Sequence, residues 1–414
     1  MNELPEGWKL VKLGEICKMK NGFAFKSTEY TDEGTPVIRI SDINGGIVST
    51  EKSVRVKDKN EFEDFLVEKG DILVAMSGAT TGKFGLFGTN EKAYQNQRVG
   101  KFKILNIKVL DRQFLYYQIN SLKRLIEKDA YGGAQPNISS GKIEQMNFVL
   151  PPLPIQHAIV TKIEEIFSEL DHGVEQLKTA RAQLKVYRQA VLKWAFEGRL
   201  TNAGVVDGEL PEGWKWVKSG DLFSFVTSGS RGWAKYYSDS GAIFIRITNL
   251  DFDSLELDLS EGTIQYVNPP LNAEGLRTKV QEGDFLFSIT GYLGMFAIAP
   301  KIENAYINQH ISLCRPKEGF NKKYVGYWIV SKSGGIHHLN KKQKGATKAG
   351  LGLDDIKNFP VPIPPLPEQH QLVTEIERRL SVCDKLEETI EAGLKQAEVL
   401  RAGVLKMAFE GGLV

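Results

Sequence analysis

The chain is poor in the residues that build covalent or metal chemistry. Its three cysteines, Cys17, Cys314 and Cys383, are far apart and odd in number. They supply no disulfide framework and no zinc knuckle, and they suit a reducing compartment. The six histidines are scattered, and the one adjacent pair, His337 and His338, has no cysteine or carboxylate at metal-ligand spacing. No apolar run approaches the ~18 residues a membrane span needs. Met1 to Trp8 lacks the basic-then-apolar order of a signal peptide, so a cytoplasmic protein with no membrane partner is expected. Charge of one sign is lacking too. A net charge of +2 neither demands nor excludes a nucleic-acid partner, because a local basic face is enough. What remains, 42% hydrophobic and 25% charged residues in 414, is the composition of an ordinary globular chain, long enough for two or three domains.

Catalytic motifs are missing as well. Gly78-Ala79-Thr80-Thr81-Gly82-Lys83-Phe84 resembles a phosphate loop, but it has one residue too few between the glycines. Phe84 also stands where Ser or Thr must hold magnesium. A glycine-rich turn between strands is the better reading. Asn268-Pro269-Pro270-Leu271 has the outline of an amino-methyltransferase motif, but Leu271 cannot stack on a flipped base. There is no nucleophile elbow and no His-Glu-x-x-His site. The expectation is a chain with no catalytic residue, no metal ligand and no cofactor of its own.

What is present is a duplication. Glu3-Leu4-Pro5-Glu6-Gly7-Trp8-Lys9 recurs as Glu209-Leu210-Pro211-Glu212-Gly213-Trp214-Lys215. Val37-Ile38-Arg39-Ile40 recurs as Phe244-Ile245-Arg246-Ile247, Gly70-Asp71 as Gly283-Asp284, and Asn96-Gln97 as Asn308-Gln309. Pro151-Pro152-Leu153-Pro154-Ile155-Gln156-His157 recurs as Pro364-Pro365-Leu366-Pro367-Glu368-Gln369-His370, and Ala195-Phe196-Glu197-Gly198 as Ala408-Phe409-Glu410-Gly411. The order is kept, so the chain is two tandem halves, each a globular block followed by a helix. The repeat is far longer than the roughly 20–50 residues of a solenoid unit.

Each globular block reads as mixed α/β. In the first, short β-rich runs cover Pro36 to Ile40, Asp71 to Met76, Phe84 to Phe87 and Val99 to Leu105. An amphipathic helix follows from Arg112 to about Lys128, with Phe114, Leu115, Ile119, Leu122 and Ile126 on one face. The second block has the same plan, with a short helix near Lys323 to Ser331. The long runs 156–200 and 369–410 carry alternating four-and-three spacings. In the first run these pass through Ile159, Ile163, Ile166, Leu170, Gly173, Leu177, Ala180, Leu184, Tyr187, Val191 and Trp194. In the second they pass through Leu372, Ile376, Arg379, Cys383, Leu386, Ile390, Gly393, Ala397, Leu400, Val404 and Met407. This is a coiled-coil pattern. A helix of about 40 residues spans roughly 60 Å, more than a domain of ~150 residues. The two helices are therefore expected to pack on each other, antiparallel, with a pseudo-two-fold axis relating the halves.

Together, Leu4 to Trp8, Gly70 to Leu73, Asn96-Gln97, Pro151 to His157, Ala195 to Leu200 and their second copies resemble the specificity subunit of Type I restriction-modification systems over essentially the whole chain. The resemblance implies a target recognition domain over 1–150, a spacer helix over 151–200, a linker over 201–208, a second target recognition domain over 209–362 and a second spacer helix over 363–414. It implies double-stranded DNA as ligand, with each recognition domain reading one half of a split site. Two methyltransferase subunits would dock on the helices and restriction subunits would join them. AdoMet, ATP and Mg would sit on those partners. The competing reading is a non-catalytic bivalent scaffold for protein partners.

Residues identical in the two blocks cannot explain two different half-sites. Arg39 and Arg246, the Gly-Asp pairs and the Asn-Gln pairs are therefore expected to be framework, with a shared adenine read by Asn or Gln as the alternative. Divergent polar positions are the candidates for DNA contact. In the first block they are Ser77, Thr80, Thr81, Lys83, Arg98, Gln135 and Asn137. In the second they are Thr290, Tyr292, His310, Lys341, Lys342, Lys344, Thr347 and Lys348. Clustered lysines without aromatics more often hold phosphate than read bases.

Overall fold

The computed structural model describes residues 4–130, 136–202, 204–206, 208–229, 231–270, 273–341 and 350–414. It forms two compact units: residues 1–177 with 392–414, and residues 178–391. Each is a globular block joined by half of each long helix. Among the described residues no helix is long and apolar enough to cross a membrane.

In the first unit a six-stranded sheet runs in the spatial order Cys17–Asn21, Val99–Ile104, Ile72–Ala75, Phe84–Phe87, Gly46–Val48, Ile43–Asn44. A five-stranded sheet beside it contains Ala93–Gln95 parallel to Thr35–Ile38. Helix α1 (Arg112–Ala130) buries Phe114, Leu115, Ile119 and Ile126 against the first sheet's core. The side chain of Leu122 lies outside the described residues. Among the described residues the second unit repeats the plan with fewer strands: Phe223–Ser228, Ile311–Pro316, Phe285–Ser288, Phe296–Ile298 in one sheet, and Ala305–Ile307 parallel to Ala242–Ile245 in the other. The α/β reading holds in both units.

Both long helices start three residues earlier than expected, and the first stops four residues short of 200, where 197–200 form a turn: α2 is Leu153–Phe196 and, after the short helix α3 (Lys322–Val330), α4 is Leu366–Glu410. The repeated motifs at their ends are joints. Gln156 is fully buried; its Nε2 donates to the carbonyls of Pro151 and Val109, each at 2.8 Å, and its Oε1 accepts from the Asp111 amide at 2.8 Å. Gln369 does the same with Pro364 and the Asn321 amide. The glutamine thus staples the helix start to the segment that opens α1 or α3. At the other end, Gly198 and Gly411 adopt φ of +76° and +82°, the left-handed conformation that stops a helix. A Cβ on Gly198 would stand 2.2 Å from Cγ of Pro211, and one on Gly411 2.3 Å from Cγ of Pro5. The Leu-Pro-Glu-Gly-Trp motif is therefore the surface on which each helix end rests, which explains why the two motifs repeat together.

Within each unit the two helix segments pair antiparallel. In the second, Arg181 meets Glu391 at 3.0 Å while Arg188 meets Asp384 at 2.6 Å and Glu387 at 3.2 Å. In the first, Asp171 meets Arg401, the residues that correspond to Asp384 and Arg188, and Leu177 packs on Gly393. The seam differs from the expected one at alternate positions. Tyr187, Trp194, Leu386, Leu400 and Met407 are exposed. The next residue along is turned inward instead: Arg188, Glu387 and Arg401 pair across to the other helix, and Ala195 and Ala408 are buried. Two of these neighbours are small and three are charged, so an apolar-only pattern search passes over them. Their ion pairs satisfy the charges across the seam.

Candidate nucleic-acid interface

The structure separates framework from candidate readers at one strand edge in each unit. Asn96 and Asn308 open equivalent turns. The Arg98 amide donates to Oδ1 of Asn96 at 3.3 Å, and the His310 amide to Oδ1 of Asn308 at 3.0 Å. Both turns press on a glycine: a Cβ on Gly22 would lie 2.3 Å from the Asn96 carbonyl oxygen, and one on Gly229 2.0 Å from that of Asn308. The asparagines are framework, as their repetition suggested. Arg39 and Arg246 are also tied into the fold, through Asp42 and through the Thr263 carbonyl. Asp71 holds Lys101 and Asp284 holds Arg315. Gln97 and Gln309 differ from these: Gln97 is exposed and Gln309 half-buried, both on the edge itself. Each Asn-Gln pair is therefore split by the fold, the asparagine held in the turn and the glutamine left on the edge.

In the first unit the edge is completed by the chain after α1. Ser77 pairs with Asn137 in an antiparallel bridge, and the Ile138 amide donates to the Met76 carbonyl at 3.0 Å. Ser77, Gln97, Arg98 and Asn137 thereby line one cleft of about 590 Å³, together with Asn21 and Ser140. The Arg98 guanidinium is exposed, and among the described residues it has no hydrogen-bond or ion-pair partner. The Ser77 hydroxyl is buried and unpaired among the described residues. Three of the expected contact residues are therefore brought together.

Others are not. Thr81 is buried and its hydroxyl donates to the carbonyls of Gly78, at 2.6 Å, and Pro136, at 3.0 Å, so it braces the turn rather than offering itself to a ligand. The segment 78–83 is the glycine-rich turn expected between two strands, with Gly78 and Gly82 at positive φ. The Thr80 hydroxyl lies 3.4 Å from the Ile40 carbonyl. Lys83 lines a different cleft of the same unit, of about 770 Å³, with Asn44, Tyr116, Asp171 and Arg401. Gln135, Lys342, Lys344, Thr347 and Lys348 lie outside the described residues, as does the side chain of Lys341.

The second unit repeats the backbone and changes the side chains. Thr290 bridges Gly350 as Ser77 bridges Asn137, and the Leu351 amide donates to the Ile289 carbonyl at 2.9 Å. His310 stands where the first unit has Arg98. Its Nδ1 lies 2.5 Å from the Thr290 hydroxyl and its Nε2 3.0 Å from Nε2 of Gln309. Tyr292, in the adjoining turn, is 72% exposed, so a full aromatic face is available. Burial raises the thiols of Cys17 and Cys314 and all three cysteines are free, so they act as core residues here. Among the described residues no group of three His, Cys, Asp or Glu side chains could hold a metal ion.

Comparison with known proteins follows the same two halves. The family described as the Type I restriction modification DNA specificity domain matches twice, over residues 5–181 and 211–396. The chain is 26% identical to the Type I restriction enzyme EcoBI specificity subunit of Escherichia coli, over 99% of this chain and 87% of that one. It is 23% identical to the EcoKI specificity subunit of Escherichia coli strain K12, over 99% and 90%. Among solved structures, a chain from a study of complex assembly and conformational transition in the type I R-M system superposes with a TM-score of 0.73 at 18% identity, covering both chains fully. The HsdS subunit from Thermoanaerobacter tengcongensis gives 0.58 at 19% identity, over 99% and 98%. At these identities the superpositions speak for the fold. The paired family match, covering each globular block and the first part of the helix that follows it, makes this chain a member of the Type I restriction-modification DNA specificity family.

Proposed function

We propose that the chain is the sequence-reading, non-catalytic subunit of a Type I restriction-modification complex, each unit reading one half of a split duplex site. The observation that carries this is the repeated strand edge: one backbone frame, built on Asn96 or Asn308, that presents Gln97, Arg98 and Asn137 in one unit and Thr290, Tyr292, Gln309 and His310 in the other. A frame that is constant while its polar side chains vary suits a ligand with two similar but different sites. Arg98, with a free donor fork, suits guanine O6 and N7. The lysines Lys341, Lys342, Lys344 and Lys348 are assigned to phosphate.

The long helices are the docking surface for two methyltransferase subunits, with restriction subunits joining them. AdoMet, ATP and Mg belong to those partners. Corresponding exposed apolar residues support two copies of one partner: Val186, Tyr187 and Trp194 on α2 match Val399, Leu400 and Met407 on α4. The test is to co-purify the chain with its methyltransferase partner and select from duplexes with two randomised half-sites. Binding should weaken steeply with salt, and replacing residues 9–149 by the equivalent block of another such subunit should change one half-site only. Selection of no split site, or a change in both half-sites, would refute the reading. Methyl transfer to DNA by the isolated chain would refute its non-catalytic role.

A further inference from the structure

The two edges differ in several polar side chains, but each keeps an arginine. Arg39 and Arg246 follow the strands Thr35–Ile38 and Ala242–Ile245. The last carbonyls of those strands, on Ile38 and Ile245, accept the amides of Asn96 and Asn308, each at 3.1 Å. Each arginine therefore stands beside the asparagine turn of its own edge. The cap that follows shows what the fold needs here. The Arg39 amide donates to Oδ2 of Asp42 at 2.9 Å, and the Arg246 amide to Oδ1 of Asn249 at 2.8 Å. The turn needs an oxygen at that place, and the second unit supplies it without a charge. Among the described residues Arg246 accordingly has no carboxylate partner; its Nη2 donates to the Thr263 carbonyl at 3.0 Å. Arg39 has Asp42, but its Nε lies 3.8 Å from an oxygen already engaged by the backbone. In both arginines Nε is buried with no hydrogen-bond partner, and Nη1 has none among the described residues. Both side chains stay partly open to solvent, that of Arg39 by 35%.

We propose that Arg39 and Arg246 each hold one backbone phosphate of their own half-site and so seat the duplex against the edge that reads it. A cation drawn partly out of water and left without a matching carboxylate is costly. The chain carries this cost twice, at equivalent places, and an anionic oxygen would relieve it. Two different half-sites share no base, but they share the sugar-phosphate backbone, which carries no sequence information. A residue kept on both edges while the side chains around it change suits that shared part. Arginine suits it chemically, because its planar fork is less strongly hydrated than an ammonium and matches phosphate oxygens. Repetition therefore does not confine these two residues to the framework. The inference rests on the DNA-reading function proposed above.

The test uses the full chain co-purified with its methyltransferase partner and the duplex that the wild-type complex selects. Arg39→Ala and Arg246→Ala should each weaken binding by one factor, the same on the selected duplex and on duplexes with one base pair changed. Each should flatten the slope of log affinity against log salt by about 0.9, and the two together by about 1.8. Between 50 and 200 mM salt each variant should then lose about 3.5-fold less affinity than the wild type loses. Arg39→Lys and Arg246→Lys keep a point charge and should keep the slope. A merely structural arginine would change affinity or stability and leave the slope where it was. A single uncharged methylphosphonate, moved along the duplex, should weaken the wild type at a position in the first half-site to which Arg39→Gln is indifferent. An unchanged slope in either alanine variant, or an altered base preference, would overturn the proposal. If the alanine variants do not fold, Arg39→Gln and Arg246→Gln decide alone. They keep a donor and lose the charge, and an unchanged slope there overturns it. A wild-type complex that selects no split site would instead refute the DNA-reading function itself.

Discussion

Replacing Gln156 by Ala should loosen the joint between the first long helix and its globular block without changing the DNA sequence recognised. The side chain is fully buried and joins three backbone groups: the Asp111 amide and the Val109 and Pro151 carbonyls. Each such bond contributes about 1 kcal/mol net, and each buried group left unpaired costs about 1–3 kcal/mol. The substitution should therefore cost roughly 3 kcal/mol, since some of the orphaned groups can recruit water. Gln156→Leu should do no better, because it fills the space but pairs nothing. Gln156→Glu should be worse, because it turns a carboxylate towards two carbonyl oxygens. With two units sharing the chain, one global unfolding free energy is ill defined. Amide hydrogen exchange is the suitable assay, since it reports local opening. Exchange across residues 106–115 should speed up by roughly 150-fold, the equivalent of about 3 kcal/mol. Gln369→Ala breaks two bonds, to the Asn321 amide and the Pro364 carbonyl, and should show a smaller effect across residues 318–324. Unchanged protection at the Asp111 amide in Gln156→Ala would refute the staple.

Gly198→Ala and Gly411→Ala should each destabilise by about 2 kcal/mol or more. Alanine resists positive φ by about 1–2 kcal/mol, and its Cβ would collide with Pro211 or Pro5; faster exchange at that helix end is the check. A double-mutant cycle on Arg188 and Asp384 should give a coupling of about 0.5–1 kcal/mol that shrinks in high salt, and the corresponding cycle on Arg401 and Asp171 should agree with it. Glu375 is held down to about 2, first by Arg378 and then by Arg379. Its folded value lies below the unfolded one, so its contribution is complete above about pH 4.3 and is lost as pH falls towards 2. Glu375→Gln should remove that part of the acid loss of helicity in α4, a small part because the pair is partly exposed.

The sequence by itself determined the duplication, the α/β class of each half, the two long helices and the family. These follow from patterns local in the chain: apolar spacing, proline before a helix and glycine after it. It also singled out Gln156, Gly198 and their copies, although not what they touch, because their partners Val109 and Pro211 lie in other segments. Tertiary structure decided the rest. Charged Arg188, Glu387 and Arg401 could take seam positions only because carboxylates or guanidiniums face them from the other helix, and one helix's pattern holds no record of that. Thr81 and Ser77 look alike as small hydroxyl residues beside a glycine turn. One is spent on two backbone carbonyls, that of Pro136 coming from a segment far along the chain, and the other is buried by the same segment with no partner among the described residues. Asn96 and Gln97 repeat together, but the backbone turn consumes the asparagine and leaves the glutamine on the edge. Whether a polar side chain can meet a ligand depends on which hydrogen bonds the fold has already taken from it, and only the three-dimensional arrangement fixes those.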